Sequence, residues 1–556
     1  MRKLRQLCVS LLFAIACAAQ PVVPAKPPPD PHEALRERVF GVRDDPACRV
    51  YGESIAARRV LPELYANRDY TPAWTSARAR EDLLRAIRDS VGDGLNPEDY
   101  HLSALERLAR ETAAPGASPS LWLDYDLLQS DALARLLQHL SFGKVDPATL
   151  TPQWSLDHDV HGVPPARFLQ SVIDAPSLYD AVERERPRHQ LYRTLRAELA
   201  RYRGLRARGG WTPIPAGPTL RSGARDSRVV ALRARLAAAG GDAALPSGAD
   251  ARVFDDSLVA AVRAFQSADG LDADGAVGAR TLAALNHPVD ARIAQIEVNL
   301  ERGRWLLHDL DPTFVVINVA GFRIYYLRDG EVVWSARVQV GRPYRQTPMF
   351  RSRISYLVLN PTWTVPATIF EHDVLPELKR DPRYLAEHGL EVVDAQGKAV
   401  ARPIDWARMT PERFHFLLRQ PPGPANPLGR LKFMFPNEYD VYLHDTPSQA
   451  LFERSDRTFS SGCIRVERAL ELAALLLEGQ GDWNAETLAA AIATGDTLTV
   501  GLERKVPILV FYWTAWVDRA GVLQFRRDVY ELDARVRAAL AQPFRAQGDA
   551  RTDAGE

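Results

Sequence analysis

The sequence predicts a multidomain α+β protein: a mostly α-helical scaffold domain and a small three-helix unit precede a mainly-β, β-sandwich-like domain with a helical insertion. Three observations lead there. A chain of 556 residues exceeds what one hydrophobic core serves, so length alone suggests roughly three or four domains. The hydrophobic period is helical in the first half and changes to two-residue alternation beyond Phe314, the signature of strands. Proline-rich stretches then separate the blocks.

Composition narrows the class. Hydrophobic residues are 46% and charged residues 25% of the chain, as in ordinary soluble globular proteins. Lys plus Arg equals Asp plus Glu at 70 each, which leaves no basic footprint for a nucleic-acid partner. The twelve His are scattered without metal-ligand spacing, and no phosphate-cradling loop is visible, so neither metal nor cofactor is expected.

At the amino end Arg2, Lys3 and Arg5 precede an apolar run from Leu7 to Ala16, the layout of a signal peptide over 1–18. Ala16-Cys17-Ala18 fits a small-residue cleavage site, and ordinary cleavage is the favoured reading. Ala14-Ile15-Ala16-Cys17 also loosely matches the box that precedes a lipidated cysteine, which leaves a lipid anchor at Cys17 as the alternative. The run is about half the ~20 residues a membrane span needs. A mature chain retains Cys48 and Cys463, with Cys17 only if lipidated, too few for a disulfide scaffold. Counting alone leaves a Cys48–Cys463 bridge open.

Pro21, Pro24, Pro27, Pro28, Pro29 and Pro31 predict a semi-rigid tether over 19–49. The helical domain follows over 50–210, with a stripe such as Leu191, Leu195, Leu199 and Tyr202. Its Arg-rich end carries Glu183, Glu185 and Glu198 as well, and reads as a solvated helix face. Trp211–Pro218 opens a linker over 211–225. Over 226–290, Val229, Leu232 and Leu236 form one helical stripe, Leu258, Val262 and Phe265 a second, and Thr281–Leu285 a third; Gly270, Asp274-Gly275 and Gly278 supply turns. Strands are expected at 314–319, 322–327, 332–340, 354–359, 431–435 and 441–444 within a β domain over 313–530, with an Asp329-Gly330 hairpin turn. An insertion over 372–425 is expected to lie over one face of the sheet, and 531–556 to be a tail.

The chemistry is expected around Val441-Tyr-Leu-His444 and Ser460-Ser-Gly-Cys-Ile-Arg465. Alternation puts Tyr442 and His444 on one face of a strand. Cys463 follows a glycine and precedes a helix pattern near Glu467, where a helix dipole would favour thiolate. Taken singly, a Cys is more often a small buried hydrophobe and a His a satisfied core residue. Together, in this order, they suit nucleophilic acyl transfer, with Cys463 as nucleophile and His444 as general base and acid. Backbone N–H groups of Gly462 and Cys463 are the natural oxyanion donors. Tyr442 either lines the donor site or packs. Arg465 either holds the turn or a substrate carboxylate. Ser460 and Ser461 are candidates to orient the imidazole, and Ser461 to meet substrate.

Two resemblances follow from these residues. Phe265-Gln266, Gly270-Leu271, Asp274-Gly275, Gly278 and Thr281-Leu282 resemble the peptidoglycan-binding domain of many wall hydrolases, which implies wall binding rather than catalysis. The Ser-Ser-Gly-Cys-Ile-Arg core, with Thr347-Pro348, Asn360–Pro366, Asn426–Gly429, Lys432–Asn437 and Phe511–Trp516, resembles the YkuD-type L,D-transpeptidase catalytic domain of the large multidomain kind. Many smaller members have His-Gly where this chain has His444-Asp445, so the role of Asp445 is left open.

That resemblance implies attack by Cys463 between residues three and four of a peptidoglycan stem tetrapeptide, loss of the terminal D-alanine, and aminolysis of the thioester by an acceptor stem. The product is a 3-3 cross-link, made in the periplasm, and carbapenems are expected to acylate the thiol. Other wall-synthesis enzymes are possible partners. Three readings compete: an L,D-carboxypeptidase or cross-link hydrolase in which water resolves the same thioester, a non-catalytic wall-binding scaffold with a degenerate β domain, against which intact Cys463 and His444 argue, and attachment of a lipoprotein lysine to the wall by the same chemistry.

Overall fold

The computed structural model describes residues 30–150, 154–155, 163–240, 250–308 and 310–544. The signal peptide, Cys17, the first part of the tether and 545–556 lie outside the described residues.

The helical domain begins earlier than its sequence suggested. Helix α1 (Pro31–Asp44) occupies most of the described part of the expected tether. Asp30 caps it by accepting the His32 N–H at 3.2 Å, and Pro31 sits at the first helical position, where a missing N–H costs nothing. Leu35, Val39 and Val42, spaced along one face, are buried in the helical core. The proline that looked like the end of a tether is therefore the start of a helix. At the centre of this domain, α2 (Pro119–Phe142) is buried on most sides, and its polar residues are paired. Asp131, for example, accepts the N–H groups of Ala56 and Ala57 and pairs with Arg135. Cys48 packs at the edge of this core and both described cysteines are free thiols, so no Cys48–Cys463 bridge forms.

The Pro-rich segment after α3 (Gln190–Ala207) is less a linker than part of the next domain. Ile214 is buried there and exchanges two backbone bonds with the Asn286 side chain, both at 2.8 Å. Leu220 pairs with Val277. The three expected helices are α4 (Arg228–Ala238), α5 (Asp256–Ala268) and α6 (Ala279–Leu285). Gln266, almost fully buried, donates to Asp274 Oδ1, the Ala276 carbonyl and Thr281 Oγ1, and accepts the Gly275 N–H. The motif's spacing thus reflects one hydrogen-bonded knot that fixes the turn between α5 and α6.

Among the elements that were not expected are two helices. Helix α7 (Val289–Leu306) is buried nearly all round and packs on α3. Its Glu301–Arg304 pair is fully buried, and Arg304 also donates to the Asp93 carbonyl and the Tyr192 hydroxyl, which ties α7 to the helical domain. Beyond the catalytic sheet, Leu532–Leu540 is helical rather than a tail. Its Leu532 and Val536 are buried, and Asp533 pairs with Arg302 of α7 at 2.5 Å.

The β domain holds strands β1 (Phe314–Asn318), β2 (Arg323–Arg328), β3 (Glu331–Gly341), β4 (Met349–Leu359), β5 (Leu431–Met434), β6 (Leu443–His444), β7 (Thr458–Ser460), β8 (Ile464–Val466) and β9 (Leu498–Phe511). The main order is β5-β6-β8-β3-β2-β1-β9-β4, and β5 also pairs with β4, so the sheet closes on itself around one apolar core. β7 pairs beside β3, and Trp154–Ser155 adds to β4. Asp329 and Gly330, with φ of 52° and 81°, make the expected hairpin turn. The insertion starts earlier than the expected residue 372: its own three-stranded sheet (Trp363–Thr364, Glu391–Val393, Leu417–Gln420) begins at Trp363, and its core lies around Phe370, Leu378 and Trp406.

Candidate active site

The pairing of β6 with β8 assembles the site. These strands run parallel, with Leu443 opposite Ile464 and His444 opposite Arg465. Continuing that register places Tyr442 opposite Cys463. Strand alternation then puts Leu443, Ile464 and Val466 into the core and Tyr442, His444, Cys463 and Arg465 on the opposite face. Neighbouring strands add Lys432, opposite His444, and Gln339, opposite Arg465. Cys463 and His444 are thus diagonal neighbours on one face.

His444 is almost fully buried, and its Nδ1 lies 2.6 Å from the carbonyl of Asp445. A carbonyl only accepts, so Nδ1 carries the proton and Nε2 keeps its lone pair. This backbone carbonyl, rather than Ser460 or Ser461, orients the imidazole. Burial, and then the charge of Arg465, lower the His444 pKa to about 3, so the ring is neutral at neutral pH.

Cys463 is partly exposed. Burial of the thiol raises its pKa, and the backbone N–H and phenol of Tyr442, then Arg465 and Lys432, offset only part of that rise. The helix expected near Glu467 is present as α8 (Ala469–Leu477), but β8 lies between it and Cys463, so the thiol does not sit at its entrance. A helix dipole acts over about one turn, so it does not reach the thiol. The resting pair is consequently a neutral thiol and a neutral imidazole. Alkylation of Cys463 by iodoacetamide is expected to climb only as pH rises above 9, and a rate plateau beginning below pH 7 would reveal a thiolate–imidazolium pair instead.

The other expected residues fall as follows. Arg465 donates to Gln339 Oε1 at 3.2 Å, while its Nε is buried without a partner. Burial and the nearby Arg342 lower its pKa, and no carboxylate pairs with it among the described residues. Ser460 bridges the turn, donating to the Cys463 carbonyl and accepting the Gly462 N–H at 3.2 Å. The Gly462 N–H, expected to face substrate, is therefore engaged. Ser461 Oγ accepts from Arg345 at 3.1 Å, and Arg345 also pairs with Asp373 of the insertion. Asp445 accepts the Arg430 N–H at 2.9 Å and packs where a Cβ on Gly429 would sit, so it binds the 426–430 loop to β6. Lys432 and Thr347 were quoted within family-like stretches but not read as site residues, because only strand pairing brings the first here and only loop packing the second.

A thiol and an imidazole on adjacent strands, with the imidazole's second nitrogen already fixed, form a cysteine–histidine arrangement suited to acyl transfer. Residues 312–500 match the L,D-transpeptidase catalytic domain, 225–285 the "Putative peptidoglycan binding domain" and 59–199 a scaffold domain. The chain therefore carries a YkuD-type L,D-transpeptidase catalytic domain behind a peptidoglycan-binding domain in a large multidomain protein.

A Haemophilus influenzae protein named "Putative L,D-transpeptidase" is 34% identical over 226 residues, covering 40% of this chain and 45% of that protein. The match thus spans about half the relative's length. The solved L,D-transpeptidase from Stackebrandtia nassauensis is 12% identical, with 54% of this chain and 97% of that one covered at a TM-score of 0.22. The one from Xylanimonas cellulosilytica is 16% identical, with 53% and 99% covered at 0.18. Neither structural likeness is strong enough to argue from.

Proposed function

We propose that the protein is an L,D-transpeptidase that forms 3-3 cross-links in peptidoglycan through a Cys463 thioester. The observation that carries this reading is the shared face of Cys463 and His444, with His444 Nδ1 committed to the Asp445 carbonyl. His444 Nε2 takes the thiol proton as Sγ attacks the carbonyl between stem residues three and four. Collapse of the tetrahedral intermediate expels D-alanine, whose amine receives that proton. The acceptor stem's side-chain amine then attacks the thioester, and His444 relays its proton back to the departing sulfur. One amide replaces another, so no external energy is required.

The peptidoglycan-binding domain supports wall material as both donor and acceptor. The substrate places the enzyme in the periplasm, exported by the segment at 1–18, with a lipid anchor at Cys17 as the lesser alternative. Among the described residues no helix is long and apolar enough to cross a membrane. Incubation with a disaccharide tetrapeptide is expected to raise the protein's intact mass by the donor less D-alanine, and a carbapenem by its own mass. Neither adduct forming on folded protein would overturn the reading.

Arg465, cationic and without an acidic partner, suits a donor carboxylate. Arg465→Met keeps the stem and removes the charge. Its kcat/KM for the tetrapeptide donor is expected to fall roughly ten- to a hundredfold, the scale of one charged hydrogen bond. A lowered Tm with unchanged kcat/KM would mean that Arg465 only holds the turn.

A further inference from the structure

Thr347 lies in the loop between β3 and β4 and is 1% exposed. Its hydroxyl donates to the Gly462 carbonyl at 2.8 Å and accepts the Gly341 N–H at 2.9 Å. The Thr347 N–H in turn donates to the Tyr530 hydroxyl at 3.2 Å, and that hydroxyl donates to the Gly341 carbonyl at 2.7 Å. Tyr530 is itself held by stacking on Tyr512, whose hydroxyl accepts the Tyr530 N–H at 2.9 Å. A closed set of buried hydrogen bonds thus grips one atom of the nucleophile's own peptide from behind.

That grip has a directional consequence. A peptide unit is planar and trans, so its C=O and N–H point in opposite directions. Fixing the Gly462 carbonyl toward Thr347 fixes the Cys463 N–H away from it. Gly462 makes this orientation possible, because its φ of 117° strains any residue with a side chain. Space is not the reason, since a Cβ there would meet nothing closer than 3.8 Å. On the other side, Ser460 engages the Gly462 N–H and the Cys463 carbonyl. The Gly462 N–H, the Gly462 carbonyl and the Cys463 carbonyl are thus all engaged, whereas the Cys463 N–H has no acceptor among the described residues.

We propose that Thr347, backed by Tyr530, is a positioning residue that aims the Cys463 N–H at the oxyanion. The inference rests on the acyl-transfer reading above. When Sγ bonds to the substrate carbonyl carbon, the carbonyl π electrons move to oxygen. The Cys463 N–H stabilises that charge until the C=O re-forms and the amine departs with its proton. A donor held in place beforehand needs no reorganisation during reaction, which is the source of its effect.

Two reactions of the same thiol separate this role from simple structural support. Alkylation by iodoacetamide displaces iodide and builds no oxyanion, whereas acylation by p-nitrophenyl acetate or by the tetrapeptide donor does. Thr347→Val removes the hydroxyl and Thr347→Ser retains it. In Thr347→Val the kcat for the tetrapeptide is expected to drop about a hundredfold or more, with KM within about twofold. Acylation by the ester should drop in the same direction and alkylation stay near the wild-type rate.

Thr347→Ser should recover most of the loss. Tyr530→Phe, which leaves the Thr347 hydroxyl in place, should show a smaller loss of acylation and provides a second reading if Thr347→Val fails to fold. Wild-type acylation rates in Thr347→Val, or in Tyr530→Phe where that is the readable variant, would overturn the proposal. So would equal loss of acylation and alkylation with a lowered Tm. A wild-type protein that acylates with the ester but never with the tetrapeptide would instead sink the transpeptidase reading, while the ester comparison still decides the role of Thr347.

Discussion

Replacing Cys463 with alanine is expected to lower cross-link formation by at least about four orders of magnitude, the scale at which loss of a nucleophile leaves only background reaction. The residue is partly exposed and its thiol makes only weak polar contacts, with Tyr442, the Asp440 carbonyl at 4.0 Å and nearby cations, so the fold does not depend on it. Tm should stay within a few degrees of wild type. Cys463→Ser should be nearly as inactive, because a hydroxyl is a far weaker nucleophile beside an imidazole of such low basicity. Substantial turnover in the alanine variant, measured by chromatography of the dimer, would remove Cys463 from the mechanism.

His444→Gln is the second large effect, expected at about a hundred- to ten-thousandfold in kcat, the range for a positioned general base. Glutamine preserves much of the ring's volume and its contact with the Asp445 carbonyl. Raising the pH should partly rescue this variant, because hydroxide then supplies the thiolate that the imidazole no longer generates. The same residue links stability to pH. Its pKa falls from 6.5 in the unfolded chain to about 3 in the fold, so the unfolded state binds the proton more tightly. The stability that His444 contributes is fully present above pH 6.5 and is lost progressively as pH falls toward 3. Urea titrations should show wild type losing stability across that window more steeply than His444→Gln. Parallel curves would mean that the imidazole is not buried in its neutral form.

The sequence made the site's order legible and left its geometry hidden. Short strands with clear alternation, such as β1 and β2, and the Asp329-Gly330 turn could be read directly, as could the three stripes of the small helical domain. Strand β9 could not. Its 14 residues pass through Glu503, Arg504, Lys505 and Pro507, and its pairing shifts register between Gly501 and Val506, which destroys the period-two signal. Helix α7 was hidden for the opposite reason, since a helix buried on all sides with paired charges has no polar face to mark its period. Pro31 illustrates how one residue type carries two meanings, as a chain stiffener in a tether and as the first residue of a capped helix.

At the site, His444 and Cys463 were visible from residue type and spacing, whereas the environment that sets their protonation was not. A helix pattern near Glu467 suggested a dipole at the thiol, yet the intervening residues Ile464–Val466 are needed as a strand beside β6 and β3. Lys432, Gln339 and Arg342 reach the thiol's surroundings only through strand pairing and loop packing. Thr347 acts, in this account, on a carbonyl 115 residues away in sequence, and nothing local to Thr347 signals it.

The most direct test of the central claim is incubation of the purified protein, and of Cys463→Ala, with disaccharide tetrapeptide, followed by tandem mass spectrometry of the products. The expected result is a dimer lacking one D-alanine, with its bond between the third residues of the two stems, present with wild type and absent with the variant. Tripeptide without dimer would make the enzyme a carboxypeptidase, and unchanged tetrapeptide with both proteins would contradict catalysis by Cys463 altogether.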